Sequence, residues 1–125
     1  MSLGSAPTSG SSAYLGSYGS VTGTNVSGTS SYIELTRFTN LPIGVYILTG
    51  TSFLNNSSPS ANFQFGLNAT TQNAGLNNMS LVSSPNAGVF LTTQLWIQTS
   101  VANVYFSAVG INNYQFIQAT YVRIA

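Results

Sequence analysis

The chain has 125 residues and a mass of 13.1 kDa, with two Arg, one Glu and no Asp, Lys, His or Cys. That inventory excludes Ser-His-Asp and Cys-His triads, imidazole or thiolate metal sites and disulfides, and leaves Glu34 as the one side chain tunable to general acid-base work. A formal charge of +1 supplies no basic patch for nucleic acid, while 43% hydrophobic and 12% aromatic residues are too apolar for a disordered chain. The expectation is a folded, non-enzymatic protein that binds or builds, with no cofactor and no metal. Calcium would need several carboxylates, which the sequence lacks.

From Met1 to Ser31 the sequence is Gly, Ser and Thr with isolated Tyr14, Leu15, Tyr18, Val21 and Val26. Such a stretch buries too little apolar surface to offset chain entropy, so residues 1–31 are expected as a flexible arm, or as an extended arm laid on a neighbouring subunit by its tyrosines. No stretch approaches 18 apolar residues, so membrane insertion is not expected. Met1 to Gly10 shows neither the basic nor the apolar region of a signal peptide.

Residues 32–125 read as the folded domain: short β-rich segments cut by Asn, Gly, Pro and Ser, with no helical period. Tyr32 to Thr39 alternates apolar and polar residues and ends at Asn40-Leu41-Pro42-Ile43-Gly44, where Pro and Gly break the strand. Val45 to Leu54 is β-branched and aromatic around Gly50, a placement that signals a bulge or close packing. Asn62 to Leu67 sets Phe63 and Phe65 on one face, and the polar stretch Asn68 to Asn78 follows. Met79 to Val82 is a short strand stopped by Ser83-Ser84-Pro85-Asn86.

Val89 to Thr99 places Phe90, Thr92, Gln94 and Trp96 on one face and Val89, Leu91, Leu95 and Ile97 on the other with Thr93. It is therefore expected to be buried, at least partly, on both sides, and Trp96 is expected in the core rather than as a sugar-stacking platform. Val101 to Val109 and Tyr114 to Ile124 follow, joined by a turn at Gly110 to Asn113. Seven short strands with frequent turns predict an all-β protein, an antiparallel β-sandwich or jelly roll. With so little charge to hold copies apart, self-association is expected.

Leu41-Pro42-Ile43-Gly44-Val45-Tyr46 resembles the L-P-x-G-x-Y entry to an inner strand in C1q/TNF-like jelly rolls and related trimeric heads of viral fibres. The ending Tyr121-Val122-Arg123-Ile124-Ala125 resembles the short C-termini of phage and virus attachment proteins, and the two features bracket Tyr32 to Ala125. The resemblance implies a homotrimeric spike or fibre-head domain on the virion surface, extracellular, that binds a host-cell receptor, a glycan among the candidates. The alternatives are a structural capsid or cement protein of the same fold and a free carbohydrate-binding lectin.

Glu34 and Arg37 are three apart on an expected strand, which points them to opposite faces. If the first and last strands are neighbours, as the resemblance implies, Glu34 meets Arg123 as a structural charge pair across the sheet or the subunit interface; because three charges in a neutral chain are expected to be paired, Arg37 is the alternative partner, within one subunit or between two. Taking seven antiparallel strands, the connections that include Asn68 to Asn78 share one end and the arm leaves from the other. That places Asn68, Thr70, Thr71, Gln72, Asn73, Asn77 and Asn78 as the receptor-binding residues, amides and hydroxyls suited to sugar hydroxyls. N-x-S/T triplets begin at Asn25, Asn55, Asn56, Asn68 and Asn78 and are glycosylation acceptors only in a eukaryotic host.

Overall fold

The computed structural model describes residues 15–56, 60–70, 80–83 and 87–125. These form nine strands: β1 (Tyr18–Thr22), β2 (Val26–Ser27), β3 (Ile33–Leu41), β4 (Gly44–Leu54), β5 (Ser60–Gly66), β6 (Ser80–Ser83), β7 (Gly88–Gln98), β8 (Ala102–Val109) and β9 (Asn113–Arg123). β1 pairs with β9, β3 with β8, β4 with β7 and β5 with β6, all antiparallel. These nested pairs make one long hairpin. It is rolled up by two further pairings, β4 with β9 and β5 with β8, into sheets of order β1-β9-β4-β7 and β3-β8-β5-β6. This is the jelly-roll sandwich.

The inward faces of the two sheets meet in an aromatic core. Tyr46, Leu48 and Leu54 of β4, Phe63 and Phe65 of β5, Trp96 of β7, Val104 and Phe106 of β8, and Tyr114 and Ile117 of β9 are all buried. Phe106 lies against Phe63 and Phe65, with ring centroids 5.7 and 5.0 Å away. Gly50 makes this approach possible, because a Cβ there would stand 2.5 Å from the Phe106 ring. Close packing, and not a bulge, is thus what the glycine inside β4 serves: β4 pairs with β7 without a register break.

Trp96 is in the core, and its indole is satisfied there. Nε1 donates to Gln98 Oε1 at 2.7 Å, and Gln98 Nε2 donates to the Leu41 and Ala102 carbonyls at 3.2 Å each. One buried amide therefore ties β7 to the end of β3 and the start of β8. The Pro-x-Gly turn beside it is held by Tyr46, whose hydroxyl donates to the Pro42 carbonyl at 2.7 Å.

Part of the segment expected to be a free arm is a sheet element. β1 and β2 run antiparallel along β9, from Tyr18 opposite Val122 to Ser27 opposite Asn113. Three of the five residues of β1 are Gly, Ser or Thr, and its order comes from main-chain pairing with β9 and from Val21 packed against the core. Residues 1–14 lie outside the described set.

This extra pass reverses the expected polarity. Gly16 N–H donates to the Arg123 carbonyl, so the described chain enters beside the end of β9 and the start of β4. The β3–β4 and β7–β8 connections sit at that same end, as Gly44 opposite Gln98 and Leu41 opposite Ala102 show. The end of β5 points there too, because Gly66 pairs with Tyr105 near the start of β8. The entering chain and the connection after β5 thus share one end, which corrects the expectation that they lie apart.

Of the two partners expected for Glu34, the chain supplies Arg37, although the two were expected on opposite faces. Between Glu34 and Thr36 the register with β8 slips by one, so Leu35 and Thr36 together oppose Phe106 and both are buried. This bulge returns Glu34 and Arg37 to one face. They form a two-pronged ion pair there, Nη2 to Oε1 at 3.0 Å and Nε to Oε2 at 3.1 Å, with the guanidinium 5.1 Å from the centroid of the Tyr105 ring. Arg123 sits on β9 in the other sheet, where its Nε donates to the Ala125 backbone oxygen at 3.0 Å. The strand beside β9 is β1 and not β3, so Glu34 and Arg123 are not brought together.

Candidate functional site

Of the residues expected to bind a receptor, Asn68 and Thr70 are described and exposed. Asn68 Oδ1 accepts from the Thr70 N–H at 2.8 Å and from the Thr70 hydroxyl at 2.9 Å, a closed Asx turn that uses its acceptor locally. Thr71, Gln72, Asn73, Asn77 and Asn78 lie outside the described residues. The Asx turn is at the end where the chain enters.

Two surfaces stand out that the sequence reading did not assign. The first is the outer face of the β1-β9-β4-β7 sheet. On β7, Val89, Leu91, Leu95 and Ile97 are 70%, 63%, 58% and 67% exposed. The run expected to be covered on both sides is covered on one, because β7 is an edge strand and nothing in the described chain packs over it. Register carries the apolar surface inward as a row of Leu95, Ile47, Val122 and Tyr18. A belt of Thr93, Thr49, Thr120 and Ser20 crosses the same four strands, with Thr49 and Thr93 hydroxyls 3.4 Å apart. No charged residue lies in either row.

The second surface is at the far end of the same sheet, away from the chain entry, where β2 lies beside the start of β9. Asn25, Val26, Ser27, Asn113, Tyr114 and Gln115 line a cavity of about 130 Å³. Ser27 Oγ donates to Asn113 Oδ1 at 3.3 Å, and Ser52 Oγ donates to the Gln115 carbonyl at 3.3 Å. Next in sequence is Phe116, 78% exposed and with φ at +51°. Three steps of β9, Gln118 to Gln115, span two of β4, Thr51 to Phe53, so β9 carries one extra residue here. The bulge turns Phe116 outward, where Phe53 supports it edge-on at 6.1 Å and 75°.

The chemistry of this far end is neutral. Burial pushes the Tyr114 phenol above its ordinary value of 10.0, against a smaller opposing effect of the Asn112 side chain. The hydroxyl donates to the Gly110 carbonyl at 3.1 Å. What remains for a ligand is amide, hydroxyl and aromatic surface. Sequence periodicity assigned Asn113 to a turn and Tyr114 to a strand; it had no signal for the bulge that exposes Phe116. No family model and no curated protein sequence matches the chain.

Proposed function

We propose that this chain is a non-enzymatic jelly-roll subunit of a virion surface that assembles with copies of itself, as a homotrimer, and presents a head that attaches to a host-cell receptor. The observation that carries it is the apolar, charge-free outer face of the β1-β9-β4-β7 sheet. The four exposed β7 side chains with Tyr18 and Val122 offer roughly 600 Å², close to the ~800 Å² that each partner contributes to a standard stable interface. A face of that size left in water invites non-specific association, and a second copy covers it without meeting an unpaired charge. The threefold count and the virion setting rest on the resemblance of Leu41 to Tyr46 and of the C-terminal strand to C1q/TNF-like and fibre-head jelly rolls. The non-catalytic part of the reading draws support from composition: the single carboxylate, Glu34, is engaged by Arg37.

Replacing Leu91 and Leu95 together by Lys tests the assembly. Both side chains point away from the core, so the fold survives, while two buried like charges in the interface are expected to reduce the light-scattering mass to that of one chain. An unchanged oligomer would place the interface elsewhere. Saturable binding of the labelled wild-type assembly to host cells tests the attachment role; its absence on cells that support particle entry would favour the structural capsid or cement reading.

A further inference from the structure

We propose that the far end of the β1-β9-β4-β7 sheet is a binding site for a neutral saccharide, with Phe116 as the stacking platform and Asn113, Gln115, Asn25 and Ser27 as the polar contacts. The proposal rests on the attachment reading above and names its ligand class and its site. Three independent observations meet here.

The first is the strained ring. A bulky residue in the left-handed region is strained and persists only where the surroundings hold it, and such residues cluster at ligand sites. Phe116 has φ at +51° and leaves 78% of its surface in water. Neither feature benefits the fold: a glycine would adopt the backbone freely and a polar side chain would suit the exposure. Phe53 at 6.1 Å, edge-on, fixes the ring and leaves a face free to take the axial C–H groups of a sugar, which carry partial positive charge.

The second is the polar cavity one residue away. Its volume of about 130 Å³ exceeds what a single water needs and leaves room for a sugar substituent. Amides and a hydroxyl line it, and each amide offers donors and an acceptor together, which a sugar hydroxyl needs since it both donates and accepts. The Ser27 bond engages only the carbonyl oxygen of Asn113.

The third is charge and position. Arg37 is on the other sheet and Arg123 is at the opposite end of β9, so no cation reaches the site to select a sialic acid or a sulfate. The site is also at the end away from the entering chain, where a ligand on another surface has access. It lies beside β2, at the end of the sheet away from the Leu95-Ile47-Val122-Tyr18 row, with Phe53 under the ring opposite Val89 of β7.

The test uses the full-length chain on an array of oligosaccharides with neutral hexose and N-acetylhexosamine termini, alongside sialylated counterparts, followed by calorimetric titration of the best neutral binder. Phe116→Gly and the double variant Asn113→Ala/Gln115→Ala are measured in parallel, each with its melting temperature and its light-scattering mass. The expected result is binding to neutral termini without gain from sialic acid, lost at least tenfold in both variants. Phe116→Gly should keep the wild-type mass and melt no lower than wild type, because it relieves the backbone. An array with no neutral binder, or binding that Phe116→Gly retains, overturns the proposal. So does a Phe116→Gly chain that dissociates, since the ring would then be a contact between copies. Attachment to cells with an array blank for neutral sugars would sink this site and leave the attachment reading standing.

Discussion

Gly50→Ala tests the packing of the two sheets at its tightest point. The added Cβ would stand 2.5 Å from two carbons of the Phe106 ring and 2.8 Å from a third. Phe106 is buried and cannot retreat, because Phe63 and Phe65 stack behind it at 5.7 and 5.0 Å. Overpacking of this kind costs about 1 to 3 kcal/mol. The substitution also removes freedom from the unfolded chain, which returns about 0.4 to 1 kcal/mol. The net loss is about 1 to 2 kcal/mol, and at roughly 4 °C per kcal/mol for a domain of this size the melting temperature falls by about 4 to 8 °C. Scanning calorimetry or circular dichroism reads the shift directly. Phe106→Leu in the Gly50→Ala background should recover part of it, because the smaller side chain frees the space, so the two changes are non-additive. A Gly50→Ala chain that melts with the wild type, or a double variant whose losses simply add, would refute the close contact.

Gln98→Ala strips the buried Trp96 Nε1 and the Leu41 and Ala102 carbonyls of a partner, and is expected to cost about 2 to 4 kcal/mol by denaturant titration; a loss below about 1 kcal/mol would mean water replaces the amide. Glu34→Gln breaks an ion pair that is a third to half exposed, so a stability change under about 1 kcal/mol is expected, and one above 3 would mark a buried pair. Burial raises the Tyr46 and Tyr114 phenols above 10.0, with Arg123 partly opposing the rise at Tyr46. The folded chain then holds protons that the unfolded chain releases near pH 10, so this contribution to stability is intact below pH 10 and lost as pH climbs through the raised values. Urea midpoints measured from pH 8 to 12 check it, with a flat profile as the contrary result.

The strands with clear alternation were legible, and for a physical reason. β4 and β7 carry β-branched and aromatic residues with a period of two, and their expected limits, Val45 to Leu54 and Val89 to Thr99, match Gly44–Leu54 and Gly88–Gln98 within a residue. Trp96 in the core followed from the same pattern, while Gly50 was legible only as a bulge or a close approach, which the Phe106 contact decides. β1 was not legible, because Tyr18–Thr22 has little apolar content of its own and is ordered by β9 almost a hundred residues away. Missing it reversed which end of the sandwich the chain enters, a consequence of one strand pass. Bulges were equally invisible: at Leu35 one extra residue brings Glu34 and Arg37 together, and near Phe116 another exposes a ring. Alternation alone also could not tell an edge strand from a central one, which is why the outer side of β7 was expected to be covered.

The most direct test of assembly through the apolar face is the mass of the wild-type chain in solution at micromolar concentration, by light scattering coupled to size exclusion. A single species of about three times the 13.1 kDa chain mass is expected, stable to salt because no charge contributes to the interface. A monodisperse 13.1 kDa monomer would contradict it.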